Sequence, residues 1–280
     1  MLFLILAIAS STAISFILRF FDKKIHNNMV MFLGNYFVCV LLSCFYVRGS
    51  EAFKVISGTK TAVILGIISG IFYLMGFVLL QTNIRKNGII LSTLFMRLGV
   101  LVPIAMALIV FNERPSYMEV GGIILAIAAI FVINFEKDKG EGKKSAVYLL
   151  LFLLIAGGLN DSFANIQDKI GNRACNDQYL LITFAVALLS SVVMIFVKKQ
   201  HFTLIDLGIG MLVGLPNYYC SRFLLLSLSK LKAIIVYPMY NIGTILLISL
   251  MGILLFKEKL GKNKIIGLLL VIAALILLNI

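Results

Sequence analysis

The chain has 280 residues, of which 61% are hydrophobic and 13% charged. A soluble domain is roughly half apolar and a quarter charged, so a water-facing globule is excluded, and so is a disordered chain, whose mark is low hydrophobicity. The net charge of +13 sits mainly in connectors, where it suits anionic lipid headgroups; no soluble module is left to present a face to nucleic acid.

In chain order, apolar runs bounded by charges predict ten helices, at 2–21, 29–47, 61–83, 88–111, 117–134, 146–167, 178–197, 206–229, 233–255 and 261–279. Each approaches the ~20 residues that cross a bilayer. The first run, Leu2 to Phe21, has no basic leader and no small-residue cleavage site, and reads as a retained span rather than a signal peptide. Cys39, Cys44, Cys175 and Cys220 show no pairing pattern. His26 and His201 fall in connectors, so the spans are expected to hold no metal. The longest polar connector, residues 136–145, lies at the midpoint and reads as a linker. Its end, Gly142-Lys143-Lys144-Ser145, lacks the first glycine of a phosphate loop, so neither nucleotide-driven transport by this chain alone nor a cofactor is expected. An enzyme is not expected either, since no cluster of His, Asp or Glu collects at one interface.

Sliding the sequence on itself by 145 reveals a repeat. Residues 89–135 fall on 234–280, with identities that include Ile89/Ile234, Leu101/Leu246, Met106/Met251, Gly122/Gly267, Ala129/Ala274 and Asn134/Asn279. The turn Phe111-Asn112-Glu113-Arg114 matches Phe256-Lys257-Glu258-Lys259, and Gly66 and Gly70 match Gly210 and Gly214 at an offset of 144. The domains expected are a first five-helix repeat at 1–135, the linker 136–145, and a second repeat at 146–280. A five-helix unit ends on the side opposite its start, so the second enters the membrane upside down. The fold class expected is an all-α membrane protein of ten transmembrane helices in two inverted repeats, an arrangement typical of secondary transporters.

On these turns, the glycine-bearing helices that follow them and the five-plus-five layout, the chain resembles the drug/metabolite transporter superfamily, in particular ten-span proteins made of two EamA repeats. The resemblance covers essentially the whole chain. It implies movement of small metabolites, amino acids or drugs by alternating access, a cavity walled by the first, third and fourth helices of each repeat, and both termini in the cytoplasm of a cell (plasma or inner) membrane. The positive-inside rule points the other way for the termini, with a modest bias. In the related small multidrug resistance proteins, a proton- and cation-binding glutamate lies eight residues before a lysine. Asp161 and Lys169 repeat that spacing, whereas Ser15 stands at the equivalent place in the first half, so at most one such carboxylate remains.

Charges at the bilayer centre cost roughly 2.5–3.5 kcal/mol, so each needs a reason. Arg97, Asp161 and Arg222 stand well inside. At 1.5 Å per residue, Asp161 lies about 22 Å and Arg222 about 24 Å from the same face, so these two and Asn241 are expected in one layer, with Arg97 nearer the midplane. Helical spacing aligns Gly157, Asp161, Asn165 and Asp168; Gly214, Tyr218 and Arg222; Tyr237, Tyr240, Asn241 and Thr244; Thr93 with Arg97; and Gly66, Gly70, Tyr73 and Phe77. The candidate substrate-binding residues are therefore Tyr73, Thr93, Arg97, Asp161, Asn165, Tyr218, Arg222, Tyr237, Tyr240 and Asn241. A buried Asp161–Arg222 ion pair that only fixes packing stays open as the alternative for those two. Glu113 and Glu258 read as caps that hold turns, the paired glycines as close helix contacts, and Pro103, Pro216 and Pro238 as kinks.

The function expected is secondary-active movement, as an exporter, of a small polar metabolite such as an amino acid. Arg97 and Arg222 would take its carboxylate, and Asp161 an amine or a coupling proton. The alternative is an organic cation or multidrug exporter that uses Asp161 and the tyrosines as a cation-π cage. The expected partners are the small solute and the lipid bilayer, with the chain acting alone or as a homodimer.

Overall fold

The computed structural model describes residues 1–47, 55–87, 89–134, 147–199, 201–256 and 262–278. The linker expected at 136–145, Lys257, Glu258 and Lys259 of the second turn, and Asn279 lie outside the described residues, as do the side chains of Phe77, Thr93, Asn134 and Phe256.

Eleven α-helices occur among these residues: α1 (Leu2–Phe20), α2 (Asn28–Val47), α3 (Thr59–Asn87), α4 (Ile89–Leu98), α5 (Leu101–Ile109), α6 (Tyr117–Asn134), α7 (Val147–Lys169), α8 (Asn176–Val197), α9 (Leu204–Leu228), α10 (Ala233–Phe256) and α11 (Lys262–Leu277). Short 3₁₀ turns precede α2 and α8, and no strand occurs among the described residues. A helix satisfies its backbone internally, which hydrocarbon demands of any single spanning segment. Among the described residues, six segments are long and apolar enough to cross a bilayer: Leu2–Phe20, Asn28–Val47, Thr59–Asn87, Val147–Lys169, Arg173–Val197 and Ala233–Leu255. This is an all-helical, multi-pass membrane protein.

The fourth expected span, 88–111, is not one helix. It breaks between α4 and α5 at Gly99 and Val100. Pro103 is the physical cause: it has no N–H for the Gly99 carbonyl, and its ring crowds that oxygen. Around the break the backbone tightens into three-residue steps, with Val100 N–H donating to Arg97 O at 3.3 Å and Val102 N–H to Gly99 O at 3.0 Å. By contrast α9 and α10 continue past Pro216 and Pro238.

The chain packs as two compact units, Met1–Leu74 with Phe163–Lys230, and Met75–Ser162 with Leu231–Ile280. Each draws on both sequence halves, and the divide runs through α3 and α7.

In the first unit, α2 lies against α9 and the opening half of α3 against α8, both at glycines. A Cβ on Gly214 would sit 2.6 Å from Asn35 O and 2.7 Å from Val38 Cβ. A Cβ on Gly70 would sit 2.6 Å from Thr183 O and 2.7 Å from Val186 Cβ. The two crossings therefore match contact for contact. The match extends to the turns: Asn27 Nδ2 donates to His201 O at 3.0 Å, and Asn172 Nδ2 to Ser57 O at 2.9 Å. Both asparagines also accept from the backbone N–H two residues on, in Met29 and Ala174. Helices α2 and α8 run antiparallel: the start of α2 is tied to residue 201, beyond the end of α8, while Tyr46 at its end meets Arg222, the partner of Asp177 at the start of α8. One departure stands out. Asp206, fully buried, accepts from His26 N–H at 3.0 Å, Asn27 N–H at 2.9 Å and the Thr203 hydroxyl. At the 144 offset its counterpart is Ala62, so only the second half carries this carboxylate.

In the second unit, α6 packs on α11, its equivalent. A Cβ on Gly122 would lie 2.7 Å from Leu278 Cγ and 3.2 Å from Ala274 O, so the start of α6 meets the end of α11. The N-terminus of α6 is closed by a capping box: Ser116 N–H donates to Glu119 Oε2 at 2.6 Å, and Glu119 N–H to Ser116 Oγ at 3.2 Å. Glu113 does cap a helix, but a distant one. Its carboxylate accepts from Ala233 N–H at 3.3 Å and Ile234 N–H at 3.1 Å, the first turn of α10. Lys232 reinforces the junction, 3.5 Å from Glu119 and 3.2 Å from Arg114 O. Glu113→Ala strands two buried donors at a helix start, a loss of about 1–2 kcal/mol. A melting temperature a few degrees lower for the detergent-solubilised variant checks this, and Glu113→Gln is expected to fall between the two.

Candidate functional site

The break in the fourth span builds the first cluster, within the second unit. Gly99, at the break, meets Gly158 of α7: a Cβ on Gly158 would be 2.4 Å from Gly99 O, so only two bare backbones fit here. Arg97 lies two residues before this crossing and Asp161 three residues after it, one turn along α7. The crossing sets the two near each other. They interact electrostatically, and Tyr240 of α10 contributes to the same field around Arg97. Both charged side chains are half-buried. Arg97 is also in the last turn of α4, where the helix end favours a cation. Tyr237, fully buried, donates its hydroxyl to the backbone carbonyl of Asp161 at 2.5 Å. Asn241 turns its amide to Tyr237 O at 3.1 Å, and Thr244 its hydroxyl to Tyr240 O at 2.7 Å. The stripe expected on α10 is present, but those two polar groups bond their own helix.

A second cluster lies in the first unit. Arg222 of α9 bonds Asp177, in the first turn of α8, through Nη1, and reaches the other carboxylate oxygen with Nη2 at 3.5 Å. Nη1 also donates to Tyr218 Oη at 3.0 Å. The guanidinium carbon sits 3.9 Å from the ring centre of Tyr46, a cation-π contact, and Tyr46 stacks on Tyr218 with centroids 5.6 Å apart. The Tyr46 and Tyr219 hydroxyls are 3.2 Å apart. Tyr73 joins its hydroxyl to Ser221 at 3.2 Å, and its ring packs near Tyr36 and Phe184.

The Asp161–Arg222 ion pair held open as the alternative is thus corrected. Arg222 is neutralised by Asp177, an acid that hydropathy leaves in a connector, and Asp161 faces Arg97. Which way each helix turns its charged face was not legible in advance. Tyr46 was missed as well, although its place in the last turn of α2 with Phe45 marks an aromatic helix end. Two further predicted positions have other settings. Asp168 holds Arg173 at 3.1 Å and accepts from Ser229 at 2.5 Å, closing the end of α7. Asn165 is fully buried, and neither end of its amide finds a hydrogen-bond partner among the described residues. No group of metal-binding side chains occurs among the described residues.

No protein-family model matches the chain. It is 25% identical over 282 residues to an uncharacterized protein of Haemophilus influenzae, covering 97% of this chain and 95% of that one. It is 28% identical over 218 residues to a second Haemophilus influenzae protein, named as an uncharacterized transporter, covering 71% and 68%. A solved crystal structure superposes with a TM-score of 0.75 at 12% identity, covering 99% of this chain and 94% of that one. At that identity the likeness concerns the fold alone.

Proposed function

We propose that this protein is a secondary-active carrier of a small zwitterionic metabolite, an amino acid or close relative, built on the two inverted EamA-type repeats of the drug/metabolite transporter superfamily. The observation that carries the reading is the Arg97–Asp161 pair at an interrupted helix. Such breaks lie at solute sites in carriers, because backbone leaves its helix inside a membrane only where protein or water satisfies it. Opposite charges held near each other suit a ligand that brings one ammonium and one carboxylate: Arg97 takes the carboxylate, Asp161 the amine or a coupling proton, and the Tyr240 hydroxyl and ring complete the site. The relative named as a transporter supports the carrier class. The antiparallel course of α2 and α8 in the first unit, with the matched Gly70 and Gly214 crossings, supports inverted duplication. Alternating access follows from such duplication, since the halves exchange conformations. Export across the cell membrane, with both termini in the cytoplasm and one or two chains per carrier, completes the proposal.

The test is counterflow of labelled amino acids, organic acids and quaternary amines in liposomes containing the purified protein. Exchange of neutral amino acids, abolished by Asp161→Asn, is the expected result. Uptake of quaternary amines alone would replace this reading with organic-cation export, and a protein that moves none of the panel would refute the carrier.

A further inference from the structure

The Arg222 cluster bears the marks of a ligand site occupied by the protein's own carboxylate. Guanidinium groups bind carboxylates most strongly as a fork, two parallel N–H groups to two oxygens. Asp177 engages Arg222 as an end-on fork, but an uneven one. It crowds Nη1, which also serves Tyr218, and stands 3.5 Å from Nη2. Among the described residues Nε has no acceptor, so a ligand carboxylate that forks onto Nε and Nη2 takes Nη2 from Asp177 and competes with it for the guanidinium. Since Arg222 is the donor to Tyr218 Oη, the tyrosine keeps its own proton to give. Tyr46 beneath the guanidinium holds the plane by cation-π contact. The pair is not sealed: the side chains of Arg222 and Asp177 are 20% and 35% exposed. Tyr219, packed edge-on against the fully buried Tyr218, provides aromatic surface beside it.

We infer that Arg222, with Tyr218 and Tyr46, forms a second carboxylate-binding site, specific for small planar carboxylates with an attached ring, and that Asp177 is a tethered competitor that a ligand carboxylate displaces. The ligand's role as transported solute rests on the carrier reading above; its binding does not. A competitor that leaves Arg222 free about a tenth of the time weakens apparent affinity about tenfold, and removing it restores that factor.

The experiment is equilibrium dialysis of labelled benzoate against the full chain in detergent, with benzylamine as the control for ring partitioning. Asp177→Asn, which keeps the size of the side chain and removes its charge, is expected to bind benzoate about tenfold more tightly than the wild type. Arg222→Lys keeps the charge pair with Asp177 but loses the fork, and is expected to lose benzoate binding even where Asp177→Asn fails to fold. Gly208→Ala, whose added methyl meets nothing within 4 Å, is expected to bind benzoate as the wild type does. Unchanged or weaker binding in folded Asp177→Asn, or wild-type binding in Arg222→Lys, overturns the inference. Neither result bears on whether the protein carries solutes, which the liposome panel decides separately.

Discussion

Arg97→Met is expected to cost both folding and exchange, and pairing it with Asp161→Leu is expected to restore only the first. Removing one of two opposite charges held near each other inside the membrane leaves the other uncompensated, a loss of up to about 3–5 kcal/mol where such a pair is fully buried. Replacing both with apolar side chains of similar volume is often neutral or stabilising by about 1–4 kcal/mol. So Arg97→Met should melt well below wild type and show solute exchange reduced by about a hundredfold or more, while Arg97→Met/Asp161→Leu should melt at or above wild type and stay inactive. Thermal denaturation in detergent and counterflow in liposomes, on the same preparations, read the two quantities. A double variant that regains transport along with stability assigns the charges to packing alone, and the solute site must then be sought elsewhere. The contrast is informative because a structural pair and a binding pair respond alike to the single substitutions.

The second large effect concerns the crossing of α2 and α9. A Cβ on Gly210 would lie 1.9 Å from Met31 O and 2.8 Å from its carbonyl carbon, and one on Gly34 would lie 2.2 Å from Leu207 O. These neighbours are backbone, so no side chain can swing aside; the helices must part. Once parted, they lose the close packing that holds helices together in lipid, where no hydrophobic effect drives them together. Gly210→Ala is therefore expected to be severely destabilising, on the order of 3 kcal/mol or more, comparable to overpacking a core. Gly208, two residues earlier on the same helix, has nothing within 4 Å of its would-be Cβ. Gly208→Ala is expected to be neutral or to stabilise by up to ~1 kcal/mol, through helix propensity. Comparing their melting temperatures separates the packing term from propensity. Equal melting temperatures would contradict the α2–α9 geometry.

Much of the fold is readable from residues alone because lipid leaves a spanning chain few choices. Long apolar runs must be helices, and offsets of 145 and 144 set Glu113, Gly122 and the Gly66–Gly70 pair against like residues of the second half before any coordinates. The glycine pairs were legible as close contacts for the same reason: a bare backbone inside an apolar helix serves approach. Helix interruption was less so. Pro103 announces a kink, but the meeting of Gly99 with Gly158 depends on α7 lying alongside.

What the sequence alone determined is the set of groups available to the site: one aspartate and two arginines deep in apolar runs, and tyrosines at helical spacing around them. Only the tertiary structure decided who faces whom. Rise per residue translates position into depth, but the rotation of a helix about its axis and the identity of its neighbours come from packing across the whole unit. That is why Arg222 found Asp177 and Tyr46 rather than Asp161, and why Glu113 caps a helix 120 residues away instead of its own turn. In a low-dielectric interior each charge must find an opposite charge or a polar partner, and the helix packing selects which one.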